Sequence, residues 1–293
     1  MSQRNEEGTG GAGGFGEFLR SLLEGVPWRE RAERDETRSL KAPSSGVLRV
    51  HNANGRTCVI GEDRADVRVC AHKVVRAESA TAAEDLLDAS QLIAERTPDH
   101  ALGLEVDVPS KWNRRGHMDL ELRVPRGTHV EIVAANGRVA IAGLRGGVKA
   151  RASNGSVELS DVVGDVNIAT SNAKVCCCDT RGELVARSSN GKIELDDHCG
   201  SVDASTSNGL IRASVEEIGS GGVKLATSNG RIVLEIPEEI DAEVDIRVDN
   251  GVIRNDHPLC EASRNRNGQL RGRLGNGGAP IRLRTSNGSI SLR

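Results

Sequence analysis

The sequence predicts an all-β fold: a solenoid-like stack of short strands built from nine-residue half-repeats, two to a rung, plus one α-helix. Three observations predict it. Asparagine corners recur at Asn136, Asn154, Asn172, Asn190 and Asn208, a constant step of 18. Gly137, Gly146, Gly155, Gly164, Gly182, Gly191, Gly200 and Gly209 add a half-step of nine, with Ala173 in place of one glycine. Within each nonapeptide the second and fourth residues are apolar, as in Val148/Ala150, Val157/Leu159, Val166/Ile168 and Ile193/Leu195. Alternation with period two is the mark of a strand with one buried face. An Asn-Gly hairpin meander is the rival topology. It does not require one residue type at every eighteenth position. A coil of two strands per rung does, because equivalent residues then stack about 4.8 Å apart.

The elements follow in order. Residues 1–45 read as a flexible tail and 46–293 as the β-strand-repeat domain. Residues 1–14 are Gly-rich and polar, the composition of a disordered segment. Phe15, Phe18, Leu19, Leu22 and Leu23 then form one apolar stripe of a short helix, stopped by Gly25 and Pro27, with Trp28 next. Its polar face carries Glu17, Arg20 and Glu24, which is not the basic face suited to an anionic membrane. These six apolar residues are the candidate partner-binding set, for a groove on an unidentified protein; folding back to cap the stack needs the same stripe. The units 47–55 and 129–137 end in Asn-Gly. Between them, Thr81 and Glu84 read as a capping box for a helix whose stripe is Leu86, Leu87, Ala89, Ile93 and Ala94, ending before Pro98. This helix is expected to cap one end of the stack or pack beside it. Strands are expected at 102–108 and 118–124, then the tandem repeats, with three-residue expansions at 210–221 and 231–242.

Composition bounds the function. There are two Phe, two Trp and no Tyr, so the core must be aliphatic and there is almost no surface on which bases or sugars could stack. Lys+Arg is 39 against Asp+Glu 42, which is not the basic footprint of a nucleic-acid binder. No apolar run is long enough for a membrane span. Seven cysteines, an odd number with three consecutive, and no secretory h-region point to reduced thiols and a cytoplasmic location.

The tandem TSNG units, the VPRG preceding an Asn-Gly strand pair, and the closing GAPIRLRTSNGSISLR resemble the bacterial toastrack, or "putative adhesin", β-strand-repeat family over about residues 46–293. The resemblance implies a stack of short strands linked to envelope-stress regulation, and supplies no catalytic residue.

The candidate sites each have a bland counterpart. The asparagine ladder could bind a polymer, but corner geometry alone explains the residue type. Asp161, Asp179 and Asp197, also 18 apart, could share Ca²⁺, yet the G-G-x-G-x-D pattern of calcium-binding nonapeptides is missing and backbone bonds at the corner account for them. Cys177 reads as core between Leu159 and Leu195, whereas Cys176 and Cys178 face outward beside Glu194 and Asp196, with His198 and Cys199 at the next corner. That is an untidy set for zinc. Glu158, Glu194, Asp196 and Asp197 could serve a carbohydrate-cleaving β-helix, but the domain has Trp112 alone to line a sugar groove. The reading is therefore a non-catalytic scaffold or protein-interaction module that self-associates or takes a protein partner, with no metal and no cofactor. A surface adhesin and, further off, a β-helical carbohydrate-active enzyme are the alternatives.

Overall fold

A strand that buries every second residue needs a second layer to bury them against. A coil supplies it by folding the chain back at each ninth residue. The computed structural model describes residues 30–109, 115–265 and 268–293, and shows one continuous sheet wound into such a coil.

The N-terminal end comprises β1 (Glu30–Lys41), β2 (Val47–Asn54), β3 (Thr57–Glu62), β4 (Asp66–Ala77), α1 (Ala80–Ala89), β5 (Gln91–Arg96), β6 (Leu102–Asp107) and β7 (Gly116–Pro125). On one face β2 pairs in parallel with β6, and β5 closes the edge antiparallel to β6. On the other face β3 pairs in parallel with β7, then β4 and β1 follow antiparallel. Residues 30–41, expected to belong to the N-terminal tail, are instead part of the sheet, and residues 1–29 lie outside the described residues. Residues 30–41 are a strand, with Ala32 packed against the helix cluster and Leu40 against the main core. Its mostly polar sequence hid it, because an edge strand buries little.

The helix also differs from expectation. Ser79, in extended conformation, is the N-cap and accepts from the Ala82 amide, not Thr81. Glu84 is thus drawn away from a capping box and pairs at 3.0 Å with Arg34, which also holds Asp88 at 2.6 Å. The helix stops at Ala89, with Ser90 bonding back to Leu86, so Ile93 and Ala94 belong to β5. Ala83, Leu86 and Leu87 pack on Val75 and Ala77, placing the helix on the β1–β4 extension.

The repeats form β8 (His129–Asn136), β9 (Val139–Ala142), β10 (Val148–Ala152), β11 (Val157–Val163), β12 (Val166–Thr170), β13 (Val175–Ser188), β14 (Ile193–Asn208), β15 (Ile211–Asn229) and β16 (Ile232–Glu235). From β13 onward one strand turns the corner and serves both faces. One face stacks Val130, Val148, Val166, Leu184, Val202 and Val223. The other stacks Ile141, Leu159, Cys177, Leu195, Ala213 and Leu234. All twelve are buried, and each large one contributes about 1.5–3 kcal/mol. The register of the repeat holds up to Ile211. The expansion at 210–221 is absorbed by β15 with register shifts beside His198 and Gly200, whereas residues 236–241 leave the stack as a linker.

The C-terminal end comprises β17 (Ala242–Asn255), β18 (Cys260–Asn265), β19 (Gln269–Leu274) and β20 (Ala279–Leu292). Here chain order and spatial order part. β20 lies parallel between β15–β16 on one side and β17 on the other. β19 and β18 then close the edge antiparallel. The N-terminal end does likewise, since the rung of β2 and β3 lies between β6–β7 and β8–β9.

The corners explain the TSNG motif. A Cβ at Gly155 would lie 1.6 Å from the carbonyl oxygen of Gly137, so the close rung approach there leaves no room for a side chain, although the next rung carries Ala173 at the equivalent position. Inside the corner, Thr206, Thr227 and Thr285 hydroxyls donate to Gly191, Gly209 and Gly230 carbonyls of the preceding rung at 3.2–3.5 Å. The left-handed positions lie at the opposite corner, on Asp161, Asp179 and Asp197 (φ +50 to +55°). Aspartate tolerates that region better than most residues. The asparagines are not among the positive-φ residues, so their role is a different one.

Candidate interaction surfaces

That role is a continuous amide ladder. In the order Asn250, Asn287, Asn229, Asn208, Asn190, Asn172, Asn154 and Asn136, each Nδ2 donates to the Oδ1 of the next, and Asn136 donates to Asn54, at 2.9–3.1 Å. The row uses its own donors and acceptors to hold rungs together.

At the opposite corner, ligand atoms of Cys178, Asp179 and Asp197 lie within 4.8 Å of one another. The Cys178 thiol donates to Asp179 at 3.4 Å. That hydrogen bond, with lesser burial, raises its pKa and favours the thiol over the thiolate a metal would need. Three donors on an open surface leave a tetrahedral set one short. His198 is no fourth ligand. It is buried inside the corner, its Nδ1 2.8 Å from Thr180 Oγ1, and burial holds its pKa down. Cys177 is fully buried between Leu159 and Leu195, and burial pushes its thiol far up.

The acids considered for glycoside chemistry include ion-pair partners on the surface. Glu158 pairs with Arg138, and Glu194 with Lys174 and Lys192. Those two lysines, ahead of burial, lower the Glu194 pKa.

A groove lies at the N-terminal end, on the outward face of β5, β6, β2 and β8. Its volume is about 320 Å³. Ile93 and Val133 supply apolar lining, and Val133 is 47 % exposed. Arg49 stands at its rim in a fixed pose. It grips Asp99 through two bonds of 2.7 and 3.0 Å and Glu131 at 3.2 Å. Arg49 and the Thr97 hydroxyl hold the Asp99 carboxyl well below the usual carboxylate range. His51 faces Glu105 at 3.5 Å. Nothing in the sequence signals this groove, because it needs β6 to land beside β2, with three strands and the helix between them in the chain.

The candidate partner-binding residues Phe15, Phe18, Leu19, Leu22, Leu23 and Trp28 lie outside the described residues, as does Trp112. The described core is therefore built without one aromatic ring.

Three solved structures align along most of the chain. A "putative adhesin" from Bacteroides fragilis shares 11 % identity over 91 % of this chain and 99 % of its own, with a TM-score of 0.44. A "putative cell adhesion protein" from Clostridium sporogenes shares 9 % over 89 % and 99 %, TM-score 0.29. A "putative lipid binding protein" from Parabacteroides distasonis shares 14 % over 89 % and 97 %, TM-score 0.31. No curated protein matches. The family model Toastrack DUF4097 matches residues 100–293, the span that holds the tandem repeats and the C-terminal end of the stack. With its stacked rungs and that match over most of its length, the chain belongs to the Toastrack DUF4097 family.

Proposed function

We propose that the chain is a non-catalytic β-repeat scaffold that holds a protein partner through its N-terminal apolar stripe. One observation carries this reading. Both phenylalanines and one of the two tryptophans fall within residues 15–28, while the described stack completes its core without an aromatic ring. Aromatic residues are enriched among the anchors of protein interfaces. The stack supports the scaffold half: its asparagine corners are satisfied rung to rung, and acids such as Glu158 and Glu194 are tied in surface ion pairs. The seven cysteines are all free thiols, which supports a reducing, cytoplasmic compartment.

The test uses the full chain and the variant Phe18→Asp with Leu22→Asp. A partner identified by cross-linking and then purified should bind the parent and not the variant, and the two should share one melting temperature. A variant that melts well below the parent would assign the stripe to the stack and remove the proposal.

A further inference from the structure

The C-terminal unit, residues 242–293, is joined to the stack in an unusual way. β17 pairs with β20 and β19, and β19 with β18. The ladder from this unit to the stack runs through β20 onto β15 and β16. Chain order would seat β17 there. Instead the linker, residues 236–241, passes over one rung and leaves a slot, which β20 fills after β17, β18 and β19 have gone by. The linker has to climb about 10 Å, two strand spacings, and six residues extend to about 20 Å.

The slot and its occupant are a complete interface. Val223 meets Ile281, Leu225 meets Leu283, Ile232 meets Ile290 and Leu234 meets Leu292, all eight buried. The asparagine ladder crosses it from Asn229 to Asn287. Thr285 Oγ1 donates to the Gly230 carbonyl at 3.3 Å. These contacts depend on rung register alone, and every copy of the chain carries both halves. Within the linker Pro237, Glu238 and Glu239 are exposed; Ile236 is buried, with its amide donating to the Arg293 carbonyl, and Ile240 packs on the core, contacts that a re-routed linker has to form again in the partner copy.

We infer that two copies of this chain can exchange residues 242–293, each seating its β20 in the slot formed by β15 and β16 of the other. The result is a closed, reciprocal dimer, because each slot is filled once. The tethered β20 has the advantage of high effective concentration. Exchange is therefore a product of folding at high protein concentration, before the tethered unit has docked.

Interchain disulfide trapping tests this. Ala226 and Arg284 are direct register neighbours across the slot, on the outward face. Adjacent strands hold Cα atoms within disulfide reach. Ala226→Cys is placed in one full-length chain and Arg284→Cys in another, both with Cys260→Ser because Cys260 is an exposed thiol. The two are unfolded in urea, mixed and refolded together at rising concentration, then oxidised. Expected is a covalent dimer that grows with concentration in the mixture and is lacking when either variant refolds alone. A chain carrying both substitutions should close the bond within itself, which verifies the register. A mixture that yields monomers at every concentration, while the double variant closes its bond, overturns the exchange. Failure of the double variant overturns the interface itself.

Discussion

Leu195 and Lys192 stand close in the chain and in opposite environments. Leu195 is fully buried between Cys177 and Ala213, so Leu195→Ala should cost about 2–5 kcal/mol. Lys192 is exposed and pairs with Glu194, so Lys192→Ala should cost under about 1 kcal/mol. Urea unfolding of both variants checks the difference, and equal midpoints would reject the register. Gly155 is as constrained as Leu195, for the opposite reason: a Cβ there meets the Gly137 carbonyl. Gly155→Ala should cost about 1–3 kcal/mol in forced rung separation. His198 gives a pH signature. Its folded pKa lies below the ordinary 6.5 because burial disfavours the charged ring. Below about pH 6.5 the unfolded chain takes up a proton that the folded chain resists, so stability falls with acidification through that range. Lys174 and Lys192 hold Glu194 low; at Asp203 burial opposes ionisation, but Arg187 and Lys224 outweigh it. Both acids lose their contribution only near about pH 4 and under. His198→Val, which copies Val162 two rungs away in the same row, should flatten the melting temperature between about pH 7.5 and 5.5. An unchanged slope would show that another group titrates there.

At the scale of elements, the helix start discriminates between two readings of one segment. Ser79→Ala removes the cap bond to Ala82 and should cost about 1 kcal/mol, whereas Thr81→Ala, at an exposed position inside the helix, should be neutral or stabilise by a few tenths of a kcal/mol. Thermal melts of the two variants rank them. β1 gives a second test. Deleting residues 1–29 should leave the melting temperature nearly unchanged. Deleting residues 1–41 strips the partner from the whole edge of β4 and uncovers the helix cluster at Ala32, so the melting temperature should drop and light scattering rise. Equal melts for the two truncations would show that β1 is dispensable. What was legible divides along the same line. The repeats were readable, because each rung repeats one local solution: apolar at two and four, Asn-Gly at the corner. β1 was not, because its burial is slight and its partner β4 comes only after two further strands. The placement of Cys177 in the core followed from alternation, while the enclosure of His198 did not, since a corner residue can point either way.

For the whole molecule, both ends of the coil break sequence order in the same sense: the rung nearest each terminus of the repeat stack is second from the outside. A simple solenoid frays from its last rung. Here the outermost rungs are internal to the chain and are closed by antiparallel neighbours. This closure was invisible in the repeat pattern, because β17 and β20 carry the same grammar and either could have followed β16. The groove at the N-terminal end has the same origin, as β6 returns to lie outside β2. Both features come from long-range pairing, which periodicity does not encode.

The asparagine row behaves like a line of coupled spins. Each amide within it donates with one end and accepts with the other, so turning one side chain over would set donor against donor on one side and acceptor against acceptor on the other. Nine side chains therefore share one linked set of orientations. The corner of the coil acquires a head and a tail, although the rungs themselves are alike. Replacing Asn172 with leucine would cut the line into two segments free to orient separately, a defect felt several rungs away without moving the backbone between.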